Sequence, residues 1–485
     1  MACLIAAPAS GSGKTLLSLS LAALARRRGL RLQPFKVGPD YLDPQLLSRA
    51  SGLACRNLDP LLCGEDWVRR CFHWYGSRAD LALVEGVMGL FDGRGSGSEG
   101  SSAAVAAQLG LPVVLVVEAS RQAGSIAALV RGFRDHGPPR VQLAGVVLNR
   151  VGSERHRTLL AEALAAIAVP LLGVLPSSPA LEVPSRHLGL LPAHELADLE
   201  SRSASWADLA ERHLDLERLW PLLAPAMAPG PGTAATLAPV QALLAGQTDS
   251  HRAGPSSGPP AVETRPRVAV ASDAAFHFRY PEAGELLEAL GVDLVPWSPL
   301  ADVPLPPGSA AVLLPGGFPE LHAAQLAAAR RSLTALRQAH AAGLPIVAEC
   351  GGLLLLGREL CDPLGQPHAM AGLLPFRARR ATLSLGYRQA QASADGLLVR
   401  RGEALLGHEF HRWQLQKPGG ELPPEGQTLW RLEGWGVPAR AEGWGTAHLH
   451  ASWLHLHWAG CLQIPRRLAA AARQRGLSLS AATRR

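Results

Sequence analysis

The chain has 485 residues, of which 47% are hydrophobic and 18% are charged, a composition typical of a soluble globular protein. This length is too great for one hydrophobic core and predicts two or three domains. No apolar run approaches the roughly 18–20 residues that a membrane-spanning helix needs, and the first residues lack the charged region of a signal peptide. We therefore expect neither a membrane protein nor a secreted one.

The net charge of +7 would suit an anionic partner. The basic residues are dispersed, without an aromatic–basic stripe or a helix-turn-helix pattern, so we do not expect nucleic-acid binding. A small molecule with several carboxylates would fit the basic surface equally well. The seven cysteines are odd in number and show no Cys-x-x-Cys spacing, which predicts reduced thiols in a cytoplasmic protein.

The first part of the chain, residues 1–195, alternates short apolar strands with helical stretches. A helix is predicted over 14–28, and strands are predicted over 4–7, 32–36, 81–85, 113–117, 145–149 and 171–175. Strands that are continuous apolar blocks separated by helices indicate a parallel sheet covered on both faces.

A nucleotide phosphate loop is predicted between the first strand and the first helix, in the segment Pro-Ala-Ser-Gly-Ser-Gly-Lys-Thr over 8–15. The glycines let the backbone wrap a phosphate, the lysine reaches the β- and γ-phosphate oxygens, and the threonine hydroxyl coordinates Mg²⁺. Proline stands where the usual pattern begins with glycine, and a turn used only for packing is the alternative. The residues expected to bind ATP are Gly11, Ser12, Gly13, Lys14 and Thr15.

Carboxylates follow the second and third predicted strands: Asp40 and Asp43 after 32–36, and Glu85 at the end of 81–85. Because ligands bind beyond the carboxyl ends of parallel strands, we expect Asp40 and Glu85 to lie near the phosphate loop. Together with Thr15 they are the candidate ligands of Mg²⁺. Helix capping or turn formation is the alternative role, and it fits Asp43 as well as a catalytic role does.

A change in composition separates two predicted domains. Residues 196–265 accumulate Ala, Pro, Gly and Ser, which predicts a linker that is partly helical at its start and mobile around 228–264. A second α/β unit is predicted over 266–460, with strands at 267–271, 311–315, 344–348 and 451–458 and a strand-rich part after Gly372. The basic tail, 461–485, is expected to be a solvated helix.

A cysteine nucleophile is predicted where Ile-Val-Ala-Glu-Cys-Gly-Gly passes from a strand to a helix at Cys350. The two glycines permit a strained turn, and the helix N-terminus is expected to lower the pKa of the thiol. Gly316 and Gly317 follow another strand, and their amides are candidates for stabilising an oxyanion. An inert buried cysteine is the alternative.

A thiol nucleophile also needs a base, and the C-terminal segment offers several histidines. His455 and His457 would face the same side of a strand, so their spacing cannot choose between them. Zinc binding by a His-x-His pair is the alternative, but no third and fourth ligands at suitable spacing accompany it.

Three N-terminal segments, Ser-Gly-Ser-Gly-Lys-Thr at 10–15, Lys-Val-Gly-Pro-Asp-Tyr-Leu-Asp at 36–43 and Glu-Gly-Val-Met-Gly-Leu-Phe-Asp-Gly at 85–93, resemble the cobyrinate a,c-diamide synthases of cobalamin biosynthesis. The C-terminal Ser-Trp-Leu-His-Leu-His segment is also similar to that family, with Trp453 in place of the usual tyrosine. The resemblance implies an α/β protein of two domains. The first is a P-loop NTPase-like parallel sheet similar to dethiobiotin synthetase. The second is similar to class I glutamine amidotransferases but lacks their acidic third catalytic residue.

The resemblance also implies the reaction and its participants. The family phosphorylates the a and c acetate carboxylates of cobyrinate with ATP, and ammonia released from L-glutamine displaces each phosphate. MgATP would be bound by the phosphate loop with Asp40 and Glu85, while Cys350 would be the nucleophile and His455 its base. The residues implied to line the meeting place of nucleotide and corrinoid are Asp40, Leu42, Glu85 and Asp92.

Three alternatives stay open. A related amidase such as cobyric acid synthase shares the domain plan, although the segments at 36–43 and 85–93 fit the a,c enzyme better. The corrinoid is either cobyrinate or the metal-free hydrogenobyrinate. The oligomeric state is a separate question, for which a homodimer is one possible answer. A partitioning-type regulatory ATPase would belong to a different class, but it has no use for Cys350 and its signature lysine at the loop start is absent.

Overall fold

The structure is a computed structural model that describes residues 2–177, 185–186, 189–196, 198–224, 238–246, 265–416 and 428–483. The chain divides into two compact units, Met1–Pro239 and Val240–Arg485. Within the described ranges, no helix combines the length and the hydropathy required to cross a membrane.

The first unit is built from short strands separated by helices. Its strands are β1 (Cys3–Ala6), β2 (Leu32–Val37), β3 (Arg56–Leu58), β4 (Leu81–Glu85), β5 (Pro112–Glu118), β6 (Gln142–Val151), β7 (Leu171–Pro176), β8 (Ser185–Arg186) and β9 (Gly189–Leu190). Its helices are α1 (Lys14–Arg27), α2 (Leu42–Ser51), α3 (Pro60–Cys63), α4 (Glu65–Gly76), α5 (Ser102–Leu109), α6 (Ser125–Asp135), α7 (Glu154–Ala165), α8 (Leu199–His213) and α9 (Leu216–Leu223).

Strands β1–β7 form one parallel sheet in the order β3-β2-β4-β1-β5-β6-β7. The six strands predicted from apolar runs are all present, and the three-residue β3 is an addition. Glu85 pairs in register with Ile5 of β1 and with Lys36 of β2. The carboxyl ends of β1, β2 and β4 therefore lie side by side, next to the phosphate loop that follows β1.

The boundary predicted at residue 195 differs from the one in the structure. Helices α8 and α9 lie within the predicted linker, yet they pack into the core of the first unit, where Trp206, Leu209, Leu219 and Leu223 are buried. Apolar residues at helical spacing outweigh the Ala-rich composition there. Residues 225–237 and 247–264, which include most of the segment predicted to be mobile, lie outside the described residues; α10 (Pro239–Ala245) lies between them.

The second unit combines a parallel α/β part with a strand-rich part. Its strands are β10 (Arg267–Ala271), β11 (Asp293–Trp297), β12 (Ser309–Leu314), β13 (Ile346–Glu349), β14 (Glu359–Cys361), β15 (Pro367–Ala369), β16 (Arg377–Ala392), β17 (Ala404–Gln416), β18 (Thr428–Gly434), β19 (Val437–Gly445) and β20 (Leu449–Ser452). Its helices are α11 (Pro281–Ala289), α12 (Ala323–Ala328), α13 (Arg330–Ala341), α14 (Gly351–Leu356) and α15 (Gln463–Thr483).

Strands β11-β10-β12-β13-β20 are parallel neighbours in that order, and β19, β18 and β16 continue the sheet antiparallel. The long strand β17 pairs with β16 beside this path. Strands β12, β13 and β20 thus end near one another, where α14 begins. The candidate site residues of the second unit, Gly316, Gly317, Cys350 and His455, follow the ends of these strands.

Two predictions for the C-terminal part need correction. The strand predicted over 451–458 ends at Ser452, because β13, its neighbour, ends at Glu349 and the pairing stops there. The tail is a helix as predicted, but it is not solvated all round. Ile464, Leu468 and Ala472 of α15 are fully buried, because apolar side chains recur every four residues on one face of the helix.

Candidate active sites

The phosphate loop connects β1 to α1. Gly11 and Gly13 have φ angles of 81° and 109°, a left-handed backbone that favours glycine. A Cβ atom on Gly13 would lie 2.3 Å from Nδ2 of Asn149, which donates a hydrogen bond to the Ser12 carbonyl at 3.0 Å. Asn149, near the carboxyl end of β6, thus fixes the loop. Sequence reasoning included it in a strand but did not assign it to the site.

Lys14 begins α1 and is largely buried. Its Nζ donates a hydrogen bond of 2.6 Å to the carbonyl of Met88, in the loop that follows β4. Burial, and then the positive charge of Lys36, lower the pKa of Lys14 to about 8. The amine of Lys14 therefore lies against the loop that follows β4.

A buried ion cluster lies beside the phosphate loop and centres on Lys36. Its Nζ lies 2.8 Å from Glu85 Oε1, 2.5 Å from Asp43 Oδ2 and 3.7 Å from Asp40 Oδ2. Thr15 Oγ1 donates a hydrogen bond of 3.0 Å to the same Glu85 oxygen. The structure thus brings together the three predicted Mg²⁺ ligands, but around an ammonium group that the sequence analysis left unassigned.

Charge pairing sets the pKa values in the Lys36 cluster. Burial alone lowers the pKa of Lys36, but the carboxylates, Asp43 first, raise it well above its ordinary value. Burial, and then Asp43, raise the pKa of Asp40. Burial also opposes ionisation of Asp43, but Lys36 holds the pKa of that carboxyl below its ordinary value. Lys36 is therefore a fixed positive charge, with Asp43 as its closest counter-ion.

The other predicted residues of this site have additional structural roles. Asp40 Oδ1 accepts hydrogen bonds from the amides of Leu42 and Asp43, so it caps the start of α2 while its second oxygen faces Lys36. Leu42 is the first residue of α2 and is buried. Asp92 Oδ2 accepts a hydrogen bond of 2.8 Å from the amide of Gly89 and holds the turn next to Met88.

The fit of this cluster to Mg²⁺ rests on Thr15 and Glu85. Among the residues described, no group of three or more His, Cys, Asp or Glu side chains is arranged to hold a metal ion. The Thr15 hydroxyl and the Glu85 carboxylate lie next to each other. They are nonetheless suitable Mg²⁺ ligands when nucleotide phosphates supply most of the other ligands. Lys36 already neutralises part of the negative charge of Asp43 and Glu85. The residues of the chain therefore fit a Mg²⁺ site in which the nucleotide phosphates supply most of the ligands.

Cys350 lies on a strained turn between β13 and α14. Its φ of 46° and ψ of −103° are unusual for a non-glycine residue and typical of a nucleophile at a sharp strand-to-helix turn. A Cβ on Gly351 would lie 2.8 Å from the Gly317 amide nitrogen, and one on Gly352 would lie 2.1 Å from the Leu314 carbonyl oxygen. Both glycines are therefore needed, and the Gly316–Gly317 turn lies directly against the nucleophile turn.

The expectation that the helix N-terminus lowers the pKa of Cys350 is wrong for this structure. Burial, and then the carboxylate of Glu320, raise the pKa of the thiol well above its usual range. The short α14 contributes one opposing hydrogen bond, from Gly351, which does not outweigh these effects. The thiol is therefore neutral and needs a base to become a nucleophile.

His455 lies in the segment after β20 and is fully buried. Its backbone forms two hydrogen bonds of 2.9 Å with His408, and a Cβ on Gly316 would lie 2.6 Å from its Cε1 atom. Burial, and then His408 and His411, lower the pKa of His455 to about 3, so the imidazole is neutral. The structure places His455 against the Gly316–Gly317 turn and thus beside the nucleophile turn.

His457 has different neighbours. Its Nε2 lies 3.6 Å from Glu282 Oε2, and its ring lies 4.4 Å from that of Tyr280. These contacts place His457 against the start of α11. The structure therefore separates two histidines that spacing alone could not distinguish.

A charged cluster that the sequence did not resolve lies on β16, β17 and β19. Glu409 is fully buried and accepts hydrogen bonds from Arg388 Nε at 2.8 Å, from His411 Nε2 at 3.0 Å and from Arg440. Burial raises the pKa of Glu409, but His411 and Arg440 lower it to about 2. The next residue, Phe410, has its carbonyl oxygen 3.7 Å from Cys350 Sγ.

Known families match both units. Residues 3–191 match the CobQ/CobB/MinD/ParA nucleotide binding domain, and residues 267–461 match the CobB/CobQ-like glutamine amidotransferase domain. Cobyrinate a,c-diamide synthase of Gloeobacter violaceus is 43% identical over 465 residues, which cover 94% of this chain and 94% of that protein. Hydrogenobyrinate a,c-diamide synthase of Streptomyces coelicolor is 42% identical over 96% of each chain.

The chain belongs to the a,c-diamide synthase family. This membership confirms the family and the two-domain α/β fold class that the sequence predicted. A nucleotide-binding domain joined to a glutamine amidotransferase domain identifies the chain as a glutamine-dependent ligase of this family. Relatives named for cobyrinate and for hydrogenobyrinate are about equally similar to this chain.

Proposed function

We propose that the chain is a glutamine-hydrolysing synthase that converts the a and c acetate carboxylates of cobyrinate into amides at the expense of ATP. The observation that carries this proposal is the presence of two different sites in one chain. A phosphate loop with two buried lysines lies in the first unit, and a cysteine on a strained turn beside a neutral histidine lies in the second. Relatives that align with nearly the whole chain are named for cobyrinate, and their names supply the substrate class.

In the proposed synthetase step, Gly11, Ser12 and Gly13 bind the phosphates of ATP through their amides, and Lys14 contacts the β- and γ-phosphate oxygens. Thr15 and Glu85, with Asp40 nearby, would hold Mg²⁺, which supplies charge neutralisation on those oxygens when bound.

The corrinoid is proposed to bind beside this cluster, at Asp40, Leu42, Glu85 and Asp92. An acetate carboxylate oxygen attacks the γ-phosphorus, ADP leaves, and the acyl phosphate forms; ammonia then attacks the acyl carbon and phosphate leaves. Lys36, held as an ammonium by its carboxylates, is placed to stabilise the spreading negative charge.

In the proposed glutaminase step, the neutral His455 takes the proton of Cys350, and the thiolate attacks the side-chain carbonyl of glutamine. The amides of Gly316 and Gly317 stabilise the oxyanion, and protonation by His455 lets ammonia leave from the tetrahedral intermediate. Water then hydrolyses the thioester to glutamate. The raised pKa of the thiol and the neutral imidazole both support a base-assisted reaction.

The test of this division of labour is the Cys350→Ala variant. It should lose amidation driven by glutamine and keep amidation driven by added ammonium at the wild-type rate, because the two chemistries use separate side chains. The measurement follows formation of the diamide from cobyrinate and, in parallel, from hydrogenobyrinate. Loss of the ammonium-driven reaction as well would refute separate synthetase and glutaminase sites.

We also propose that the chain functions in the cytoplasm, where thiols stay reduced, and that it forms a homodimer. The first proposal is supported by the seven cysteines, all of which are free and buried. Light scattering of the purified protein tests the second.

A further inference from the structure

The segment that carries His455 directly follows strand β20. Strand β20 ends at Ser452, and His455, three residues later, is bonded through its backbone to His408 of β17. The sequence resemblance also implies that this family lacks the acidic residue that orients the base in class I glutamine amidotransferases. Glu349 Oε2 lies 3.9 Å from Nδ1 of His455, which is beyond hydrogen-bond distance for that pair.

Glu442 of β19 binds the start of this segment with both carboxylate oxygens. Oε2 accepts a hydrogen bond of 2.7 Å from Ser452 Oγ, and Oε1 accepts one of 2.8 Å from the amide of Trp453. Ser452 Oγ in turn accepts a hydrogen bond of 3.0 Å from the amide of Leu454. One buried carboxylate therefore holds Ser452 and Trp453 directly, and it holds Leu454 through the Ser452 hydroxyl.

The same segment is tied directly to the nucleophile. The Ser452 carbonyl accepts a hydrogen bond of 2.8 Å from the amide of Cys350. The contacts therefore form a chain that runs from Glu442 through Ser452 to the strained turn, and through Trp453 and Leu454 to His455. A shift of Glu442 would move the base and the nucleophile relative to each other.

The side chain of Trp453 is fixed as well. Its ring stacks on that of His411, with centroids 3.8 Å apart and an interplanar angle of 12°. His411 is bonded to Glu409, and the Glu409 carboxylate and Arg440 are the charges that act on the Glu442 carboxyl. Glu442 acts on the backbone of the segment, whereas this stacking holds its aromatic side chain.

We propose that Glu442 is a positioning residue of the glutaminase site: its carboxylate holds the backbone of the segment that runs from the Cys350 turn to His455. The inference rests on the proposed function, because it assumes that Cys350 and His455 cleave glutamine. The proposed role requires a hydrogen-bonding atom at each of the two positions that the Glu442 oxygens occupy. A glutamine at 442 can keep this arrangement, because its oxygen accepts from Trp453 while its amide donates to the Ser452 hydroxyl. An alanine leaves both donors without their acceptor.

The experiment compares Glu442→Ala, Glu442→Gln and Glu403→Gln in the full-length chain. Glu403 is the control, because it is a carboxylate of the same unit whose side chain is bonded to Arg467 and not to the segment that carries His455. We expect Glu442→Ala to lower kcat for glutamine hydrolysis about 100-fold with little change in KM, as small displacements of catalytic groups do. Glu442→Gln should recover most of this loss, and Glu403→Gln should match the wild type. Ammonium-driven amidation should be the same in all three.

A second readout distinguishes positioning from general loss of structure. Alkylation of Cys350 by iodoacetamide, followed by mass spectrometry, should shift to higher pH in Glu442→Ala, because His455 no longer helps to form the thiolate. An unshifted profile together with wild-type kcat would overturn the inference. If Glu442→Ala fails to fold, Ser452→Ala takes its place, and wild-type kcat in that variant overturns the inference equally. Glutamine hydrolysis that persists in Cys350→Ala would instead refute the proposed function.

Discussion

At the scale of single residues, buried charge distinguishes the synthetase site. Lys36 is almost completely buried and bonded to Glu85 and Asp43, with Asp40 nearby. A lysine in an apolar strand looks like an edge or surface residue in the sequence, and nothing in the spacing shows that Glu85, 49 positions later, lies beside it. The partners become visible only when β2 and β4 pair in parallel register.

Replacement of Lys36 tests this cluster. Lys36→Met should leave two buried carboxylates without their cation, which costs roughly 3–5 kcal/mol of folding free energy in comparable cases. We expect a lower unfolding temperature of the first unit and loss of amidation with either nitrogen donor, while glutamine hydrolysis at Cys350 continues. Calorimetry and the two assays measure these effects, with Arg49→Met, an exposed change on α2, as the control. Full ammonium-driven activity in Lys36→Met would contradict the assigned role.

A pH dependence follows from Glu349, the residue before the nucleophile. Burial raises the pKa of Glu349 from 4.5 to about 8, opposed by a hydrogen bond with Trp458. The folded protein keeps this proton at pH values at which the unfolded chain releases it, so the stability that the group contributes is lost as pH rises from about 4.5 to about 8. Glu349→Gln removes this titration. The unfolding temperature of the variant minus that of the wild type should therefore increase between pH 5 and pH 8, and a constant difference would refute the assignment.

At the scale of elements, the sequence predicted strands better than it predicted their ends. Parallel strands buried on both faces are continuous apolar runs, so β1, β2 and β4–β7 were recognisable. The three residues of β3 are too few to form such a run. Residues 453–457 alternate like a strand but form an extended connection, because alternation describes any extended chain and does not show where pairing stops.

The sequence likewise predicted some residues of the candidate sites and missed others. The glycine-rich loop and the strand–Cys–Gly–Gly turn were predictable because their function demands particular residue types at fixed spacing. Asn149, Lys36 and Glu442 were not, because each acts through a contact between separate elements. The pKa of Cys350 was predicted with the wrong sign, since the helix dipole is visible in the sequence but burial and Glu320 are not.

The contact between β6 and the phosphate loop can be tested by itself. Asn149→Ala removes the hydrogen bond to the Ser12 carbonyl, a change of about 1 kcal/mol that should raise KM for ATP roughly fivefold. Gln142→Ala, an exposed change at the start of the same strand, is the control. Steady-state kinetics with ammonium as nitrogen donor isolates the effect. An unchanged KM for ATP would show that the loop keeps its shape without Asn149.

At the scale of the whole molecule, each compact unit has a hydrophobic core of its own. The core of the first unit includes residues of β1, α1 and α8, and that of the second includes residues of β12, β13 and α14. Separate cores let each unit hold its catalytic groups without sharing their packing. This organisation is the physical reason to expect variants that lose one half-reaction and keep the other.

The burial of the thiols has a chemical consequence for the enzyme under oxidative stress. Peroxide attacks thiolates, and oxidation proceeds through sulfenic acid to forms that cells cannot repair. Every cysteine of the chain is buried, and burial holds the pKa of Cys350, the proposed nucleophile, well above its usual range. Under the proposed mechanism, the Cys350 sulfur is therefore protected between turnovers, since it becomes readily oxidisable only when a base removes its proton.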